Sequence, residues 1–327
     1  MRISVIVPVY NVAPYLRECL ESIAGRRVEV ICVDDGSTDG SAEILDEFQR
    51  ETKGQCEGWR IVVVHQANAG VAAARNAGLE IATGDWIGFV DGDDVVRDDW
   101  IELVSLAICQ NPEADAVHFG MSRFERRSEL DWRRSATRLH LHRYESEMPD
   151  VFHAGGFSAK IYRRSLIGDL RFPVGYTRGE DRLFLVNCAE RMNAVVEINQ
   201  DLYGYRQREG SATMSALTAE SLRSELWLLE QYRIWRSSDR RYPAIRWRRL
   251  VQDLTEWYAF MFFNAAASAR RGAWAAWRDA LLELRGDRRF PLFNRVCLFL
   301  FSVFRFKLTA FVLFYLPHWA KLKGLHR

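Results

Sequence analysis

The sequence predicts an α/β fold with a largely parallel sheet, and two observations carry this prediction. Short runs rich in Val and Ile recur from the start of the chain, and segments with helical periodicity lie between them. Strands and helices that alternate at this length form βαβ units, in which helices cover both faces of the sheet. Ligands of such sheets bind beyond the carboxyl ends of the strands.

The elements of the first 121 residues follow one another regularly. Each predicted strand is a β-branched or aromatic run bounded by Gly, Pro, Asn or Asp, and each helix repeats apolar residues at three- and four-residue spacing. The predicted strands are 3–10, 28–35, 60–66, 86–94 and 114–121. The predicted helices are 13–23, 41–51, 71–82 and 98–108.

Beyond residue 121 the pattern is less regular. Residues 122–150 are highly charged with weak periodicity, and we interpret them as a connecting excursion or a short polar hairpin. Residues 151–215 mix aromatic residues with Gly-rich turns. Residues 219–286 carry Trp and Leu at helical spacing, which predicts a helical region.

Composition and charge restrict the class of protein. Of the 327 residues, 48% are hydrophobic, enough for the core of one large or two ordinary domains. The formal net charge of +2 argues against nucleic acid as a partner. Six cysteines show no CxxC pair, so we expect reduced thiols. The N-terminus lacks the pattern of a secretory signal, and we expect the body of the protein in the cytosol.

The segment 288–327 differs from the rest, with eight Lys or Arg and no Asp or Glu. Arg305 and Lys307 interrupt its aromatic and aliphatic run, 290–319, at about 2.5–3.5 kcal/mol per charge for a membrane-spanning helix. A span is therefore not expected. Two interpretations remain: an amphipathic helix on the inner face of the cell membrane, or a C-terminal helix packed on the protein.

Acidic residues follow the second predicted strand in the stretch ICVDDGSTDGS. Asp34 and Asp35 stand at its carboxyl end, where their carboxylates can accept hydrogen bonds from the NH and OH groups of a nucleoside. A plain strand-to-helix turn, with Asp39 or Ser41 capping the helix, explains the same residues. This segment alone does not decide between the two.

The stretch FVDGDDVV places Asp91, Asp93 and Asp94 at the end of another predicted strand. In a strand-like DxD, residues 91 and 93 point the same way. Mg²⁺ and Mn²⁺ take oxygen ligands, and Mg²⁺ is usually held by one or two carboxylates together with substrate phosphates. The pattern indicates a metal that bridges to a diphosphate, with a solvated acidic turn as the alternative.

Between these sites lies NAGVAAARNAG, residues 68–78. It offers Arg75 as a partner for a diphosphate, and small residues that allow a close backbone approach. It contains neither the GxxxxGK[ST] of a P-loop nor the GxGxxG of a dinucleotide fold. Tyr10, after the first strand, is a candidate for stacking on a base. His65, His118 and His153 are assigned no metal role.

Four motifs in this order resemble those of the family 2 glycosyltransferases, which have the GT-A fold. The motifs are VIVPVYN, VDDGSTDGS, NAGVAAARNAGLEIATGDWIGFVDGDD and GED. The resemblance covers 1–215 and implies a Rossmann-like, mostly parallel sheet flanked by helices. It implies a nucleotide-sugar-binding half over 1–121 and an acceptor half over 122–215. The remaining residues, 216–327, are expected to form a helical C-terminal region.

The resemblance also implies roles for the matching residues. Asp93, helped by Asp91, would hold Mn²⁺ or Mg²⁺ against the donor diphosphate. Asp181 would be the general base, and Glu180 would shape the acceptor site. The alternative for Asp181 is the N-cap of the next helix, and one residue can fill both roles. The donor nucleotide would contact Pro8, Tyr10, Asn11, Asp34, Asp35, Asn68, Arg75 and Asp91.

The stretch YGYRQREGSATMS, residues 203–215, resembles the segment that closes over the donor in this family. Arg206 or Arg208 would then reach the phosphates.

The implied activity is an inverting, metal-dependent transfer of a hexose to a hydroxyl of a growing surface glycan or lipid-linked glycan. The glycan would belong to capsule, exopolysaccharide or lipopolysaccharide. One carboxylate takes the acceptor proton while the metal neutralises charge on the departing nucleoside diphosphate. Two other classes stay open: a nucleotidyltransferase, which would release pyrophosphate, and a catalytically silent glycan-binding or scaffold protein.

Overall fold

The computed structural model describes residues 1–25, 27–53, 59–132, 136–143, 156–176 and 179–208. The chain divides into one compact unit of residues 1–176 and 180–211, and a second unit of 177–179 and 212–327 that lies almost wholly outside the described residues. The predicted helical region, the segment 288–327 and His153 therefore also lie outside them. Within the described ranges, no helix is both long and apolar enough to cross a membrane.

The first half of the sheet is parallel, as predicted. Its strands are β1 (Ile3–Val9), β2 (Val28–Asp34), β3 (Arg60–His65) and β4 (Trp86–Phe89), in the order β3-β2-β1-β4. The connecting helices are α1 (Ala13–Ile23), α2 (Ser41–Thr52) and α3 (Val71–Ile81). All these bounds lie within one residue of the predicted ones, except that β4 ends at Phe89 rather than at 94.

Pro8 lies inside β1 without disrupting the sheet. The Val90 amide donates a hydrogen bond to the Ile6 carbonyl at 3.0 Å. The backbone N–H and C=O groups of the even-numbered residues in β1 therefore point toward β4. The last residues that pair between these strands are Ile6 and Phe89, before Pro8 is reached. At position 8, the side of the backbone that would carry the N–H group is turned toward β4, which has already ended there. Proline is tolerated at such a position.

The second half of the sheet is mixed, where the sequence predicted a mostly parallel arrangement. Its strands are β5 (Val95–Val96), β6 (Ala116–Phe124), β7 (Leu139–Arg143), β8 (Lys160–Arg163) and β9 (Ala194–Arg206). Strand β8 is antiparallel to both β4 and β6, β9 is parallel to β6, and β5 and β7 are antiparallel to β9. The helices are α4 (Trp100–Gln110), α5 (Arg164–Ile167) and α6 (Glu180–Arg191).

Among the described residues of the charged excursion, 122–132 and 136–143, no two strands pair with each other as in a hairpin. Strand β6 continues to Phe124, a 3₁₀ turn spans Arg127–Glu129, and β7 adds to the edge of β9. Leu139 and Leu141 pack against the core, as alternate residues of a half-buried strand should. The alternation in LHLHR was the available strand signal, and the surrounding charge concealed it.

Helix α3 packs closely on β1 because Gly78 has no side chain. A Cβ atom built on Gly78 would lie 2.5 Å from Cγ2 of Ile6, which is fully buried. The small residues around Gly78 thus bring the helix against the sheet, and this fixes the position of Arg75 one turn earlier.

We expect Gly78→Ala to destabilise the protein by about 1–3 kcal/mol, because the added methyl group overpacks the contact with Ile6. Helix propensity alone would instead stabilise the variant by about 1 kcal/mol. The sign of the change in chemical unfolding free energy distinguishes the two effects. A more stable variant would contradict the close packing described here.

His65 joins three elements at the edge of the sheet. Its Nδ1 lies 3.0 Å from Asp34 Oδ2 and its Nε2 lies 3.3 Å from Asp46 Oδ1, which links β3 to β2 and α2. The hydrogen bond with Asp34 raises the pKa of His65, partial burial opposes this, and Asp46 adds to the increase. The protonated imidazole is therefore favoured in the folded chain.

The stabilising effect of His65 should depend on pH. Since its pKa is higher in the folded state, the ionic contribution is complete below the unfolded pKa of about 6.5 and is lost as pH rises through the folded value. We expect His65→Ala to cost about 0.2–1 kcal/mol more at pH 5.5 than at pH 9, the range of partly exposed pairs. Urea unfolding at both pH values measures this difference, and equal costs would refute the ionic role.

Candidate active site

The carboxyl ends of β1, β2 and β4 bring the predicted nucleotide-binding residues to one edge of the sheet. Tyr10 and Asp35 directly follow β1 and β2, Asp91 lies two residues after the end of β4, and these strands are neighbours. Tyr10 is 50% exposed. A large aromatic ring that stands open at this edge is available for stacking, which agrees with its predicted use.

Asp35 is buried and organises the loop between β3 and α3. Its Oδ1 accepts hydrogen bonds from Gln66 Nε2 at 2.7 Å and from the Ala69 amide at 2.9 Å, and its Oδ2 accepts from the Gly70 amide at 2.8 Å. Three donors therefore already surround the carboxylate. This loop also presents Asn68, which is exposed. Direct contact of Asp35 with a base stays a prediction.

The turn after β2 is tight for a steric reason. Gly36 has a φ of +73°, and a Cβ atom there would lie 2.9 Å from the Asn68 amide nitrogen. Only glycine satisfies both constraints at no cost. The loop that carries Asn68 and the turn that carries Asp35 are consequently held against each other.

Polar side chains tie the first two turns of this edge together. Asn11, with a φ of 51°, accepts a hydrogen bond from the Thr38 amide at 2.8 Å through Oδ1. Asp39 accepts from the first amides of two helices, those of Ala13 at 2.9 Å and Ser41 at 3.1 Å. Gly40 is the N-cap of α2, so the predicted capping by Asp39 or Ser41 was wrong, and Asp39 instead links the first turns of α1 and α2.

Asp34 is committed to local structure. It accepts a hydrogen bond from the Ser37 amide at 3.0 Å and pairs with His65. Burial opposes its ionisation, but these hydrogen bonds outweigh burial and lower the pKa of Asp34. Its contact with the nucleotide stays a prediction, and the nucleotide would have to share the carboxylate with Ser37 and His65.

Residues 91–94 form a turn and not a strand. Strand β4 ends at Phe89, and the Asp94 amide donates to the Asp91 carbonyl at 2.9 Å, which closes a β-turn. Asp91 and Asp93 therefore do not form the predicted strand-like DxD, and that prediction was wrong. Both side chains nevertheless remain partly open, at 31% and 18% exposure.

Asp94 anchors this turn from below. Its buried carboxylate accepts hydrogen bonds from the Tyr203 hydroxyl at 2.6 Å and the Arg206 amide at 2.7 Å. Burial, and then the charges of Asp91 and Asp93, raise the pKa of Asp94. Sequence reasoning missed this role, because Asp94 and Tyr203 lie 109 positions apart and no local pattern connects them.

Arg206 belongs to the same anchor. Its guanidinium is buried over the ring of Phe124 at 4.4 Å, pairs with Glu18 and donates from Nε to the Asp93 carbonyl at 2.7 Å. These contacts commit Arg206 to the protein. Arg208, in contrast, donates from Nε to Asp93 Oδ2 at 2.6 Å and thus lies directly beside the candidate metal ligands.

The acidic turn fits a divalent cation whose coordination shell is completed by substrate. Burial and the charge of Asp91 raise the pKa of Asp93 above its usual value, and the hydrogen bond and charge of Arg208 offset only part of this increase. In the described part of the chain, no group of three or more His, Cys, Asp or Glu is arranged as a metal cage. Two hard carboxylates in a partly open turn match the way Mg²⁺ is held together with phosphates.

Arg75 connects this turn to the predicted base. Its Nη2 donates to Asp91 Oδ1 at 2.9 Å and its Nη1 donates to Glu180 Oε1 at 3.0 Å. Burial disfavours the charged form, but the charges of Asp91 and Glu180 outweigh it and raise the pKa of Arg75. Both terminal nitrogens thus bind carboxylates, whereas the sequence suggested a diphosphate.

Glu180 and Asp181 begin α6. Glu180 is buried, and burial together with the charge of Asp181 raises its pKa to about 7. Asp181 is partly exposed and accepts a hydrogen bond from the Arg182 amide at 2.8 Å, so it lies in the first turn and is not the N-cap. The structure thus brings together the two acidic pairs that the sequence separates by almost ninety residues.

Several known proteins are similar to this chain. The family model described as Glycosyl transferase family 2 matches residues 4–171. Glycosyltransferase GlyA of Streptococcus pneumoniae is 34% identical over 64% of this chain and 31% of its own length. Glycosyltransferase GlyG of the same organism is 32% identical over 64% of this chain and 72% of its own length. The uncharacterized glycosyltransferase EpsJ of Bacillus subtilis is 32% identical, and the match spans 62% of its length.

Solved structures show the same fold. The crystal structure of S. aureus TarS 1-349 in complex with UDP-GlcNAc has a TM-score of 0.67, with 99% of this chain and 92% of that chain covered. Sequence identity is 18%, so this match shows the fold alone. The predicted GT-A fold is confirmed.

We expect Asp35→Asn to destabilise the edge of the sheet. The amide would turn an NH₂ group toward backbone N–H donors, and a lost bond to a charged acceptor costs about 1.5–3 kcal/mol. Thermal unfolding should show a lower Tm, and hydrogen exchange at residues 66–70 should accelerate. An unchanged Tm together with unchanged exchange would contradict the organising role of Asp35.

Proposed function

The chain belongs to glycosyltransferase family 2, and we propose that it transfers a sugar from a nucleotide-sugar donor to an acceptor hydroxyl by a single inverting displacement. One observation carries this proposal. Arg75 links the partly open acidic turn at Asp91 to Glu180, beside Asp181, through contacts of 2.9 and 3.0 Å. The proposed donor site and the proposed base site would thereby be neighbours.

The donor side rests on the residues at the edge of the sheet. Tyr10 would stack on the base, and the loop organised by Asp35 would surround the nucleoside. Asp93 and Asp91 would hold Mg²⁺ or Mn²⁺, which neutralises charge on the departing nucleoside diphosphate when bound. Because the TarS structures contain UDP-GlcNAc or UDP, UDP is the first nucleotide to test.

The acceptor side rests on α6. Asp181, the more exposed carboxylate of the pair, would take the proton of the acceptor hydroxyl on the face opposite the leaving group. Glu180, held by Arg75, would fix the first turn of the helix and shape the acceptor site. We propose a hexose as the transferred sugar and a surface or lipid-linked glycan as acceptor, with peripheral membrane contact through 288–327.

The activity is tested by a screen of the purified chain with Mn²⁺ against a panel of nucleotide sugars, with and without a lipid-linked acceptor extract. Release of a nucleoside diphosphate from one donor, with transfer of its sugar, would support the proposal. Release of pyrophosphate would identify a nucleotidyltransferase instead.

Asp181→Asn should lower kcat by about 10²–10⁴-fold, the usual contribution of a general base, while UDP affinity in Mn²⁺ changes little. Asp93→Asn should have the complementary signature, a loss of Mn²⁺-dependent UDP binding. Asp131→Asn, an exposed aspartate outside the site, is the matched control and should behave like wild type in both assays. Near-normal turnover of Asp181→Asn would exclude it as the base.

A further inference from the structure

We propose that Arg75 is a positioning residue that sets the distance between the donor turn and the base helix, rather than a ligand of the diphosphate. This inference rests on the proposed glycosyl transfer. It assigns to the motif NAGVAAARNAG a purpose that composition did not reveal. Three independent features of the structure carry it.

The first feature is the geometry of the two ion pairs. Nη1 and Nη2 of one planar guanidinium each donate to a different carboxylate, Glu180 and Asp91. The two nitrogens are fixed relative to each other by the covalent plane, so the separation of the carboxylates is fixed too. Asp91 belongs to the donor turn, and Glu180 adjoins Asp181 in sequence.

The second feature is that the guanidinium itself is immobilised. The Arg75 side chain is only 6% exposed, and its central carbon lies 5.2 Å from the ring of Phe157 and 5.4 Å from that of Phe172. Asn76, the next residue, exchanges two hydrogen bonds with the Phe172 backbone at 2.9 and 2.8 Å. Helix α3 therefore holds both Arg75 and the aromatic surface under it.

The third feature is that α6 rests on the same surface. Phe184 lies one helical turn after Glu180, so both project from one face of α6. The rings of Phe184 and Phe172 stack at 4.0 Å with an interplanar angle of 3°. The helix is thus held at two points, by ring stacking at Phe184 and by the ion pair at Glu180.

Together these contacts make α3 the reference for both reactive sides. An error of about 1 Å in the placement of a reacting group costs on the order of 10² in rate. Lysine at position 75 would keep the charge, but its single ammonium lacks the planar fork that binds two carboxylates at once. Positioning would be lost while electrostatic neutralisation remains.

The test compares Arg75→Lys with Arg17→Lys. Arg17 is a matched control because its guanidinium also bridges two carboxylates, Glu47 at 3.2 Å and Glu51 at 2.9 Å, but on the surface. For Arg75→Lys we expect kcat to fall 10- to 100-fold, with the Kd for UDP in Mn²⁺ within threefold of wild type. Amide exchange in α6 should accelerate at least fivefold. Arg17→Lys should leave all three values within twofold.

A second variant separates positioning from general loss of structure. Glu180→Gln removes the charged partner at the other end of the same link. In the double variant, kcat should therefore fall by less than the product of the two single decreases. Multiplicative effects would overturn the proposal, as would a UDP Kd that weakens tenfold or more in parallel with kcat/KM. Unchanged exchange in α6 would also overturn it.

The exchange measurement requires no turnover. A wild-type chain that releases no nucleoside diphosphate and transfers no sugar from any donor would refute the proposed activity. The link between Arg75 and α6 would still be decided by exchange in the variant.

Discussion

The geometry of the candidate site depends on one interaction, the pairing of the Arg75 guanidinium with both Asp91 and Glu180. A buried charge is costly unless it is paired, and here two carboxylates from distant parts of the chain supply the pairing. Removing one partner of such a group leaves an uncompensated charge in an apolar environment. The site is therefore assembled only when α3, the turn after β4 and α6 are all in place.

The acidic turn is stabilised by a division of labour among its aspartates. Asp94 is turned inward and held by Tyr203 and the Arg206 amide, both from β9. This anchor leaves Asp91 and Asp93 at the partly open side, where a cation and a diphosphate would be expected to bind. Clustering of three carboxylates is tolerated because one of them is satisfied by neutral donors, and two others lie beside Arg75 and Arg208. A strong charge concentration thus becomes a defined site.

Much of the first half of the fold could be predicted from the sequence, since its elements depend on local pattern. The runs that became β1, β2 and β3 read as strands because Val and Ile recur between turn residues, and Asp35 and Asp91 fell at strand ends for the same reason. The reversed direction of β8 could not be predicted, because a buried strand of four residues carries no information on its orientation.

The contacts within the site were less predictable than its residues. Arg75 pairs with Glu180 across 105 positions, and which carboxylate an arginine binds is decided by folding and not by spacing. The small residues of 68–78 were predicted to allow a close backbone approach, but the partner of Gly78, which is Ile6, could not be predicted from the sequence. The close approach that the small residues allow is an approach of helix to strand.

A crystal structure of the chain with UDP and Mn²⁺ would show whether Arg75 joins the two sides of the site when the donor is bound. We expect Arg75 still to bridge Asp91 and Glu180, with the metal against Asp93 and with Arg208 moved away from Asp93. An Arg75 side chain turned to the diphosphate and separated from Glu180 would refute its role as a positioning residue.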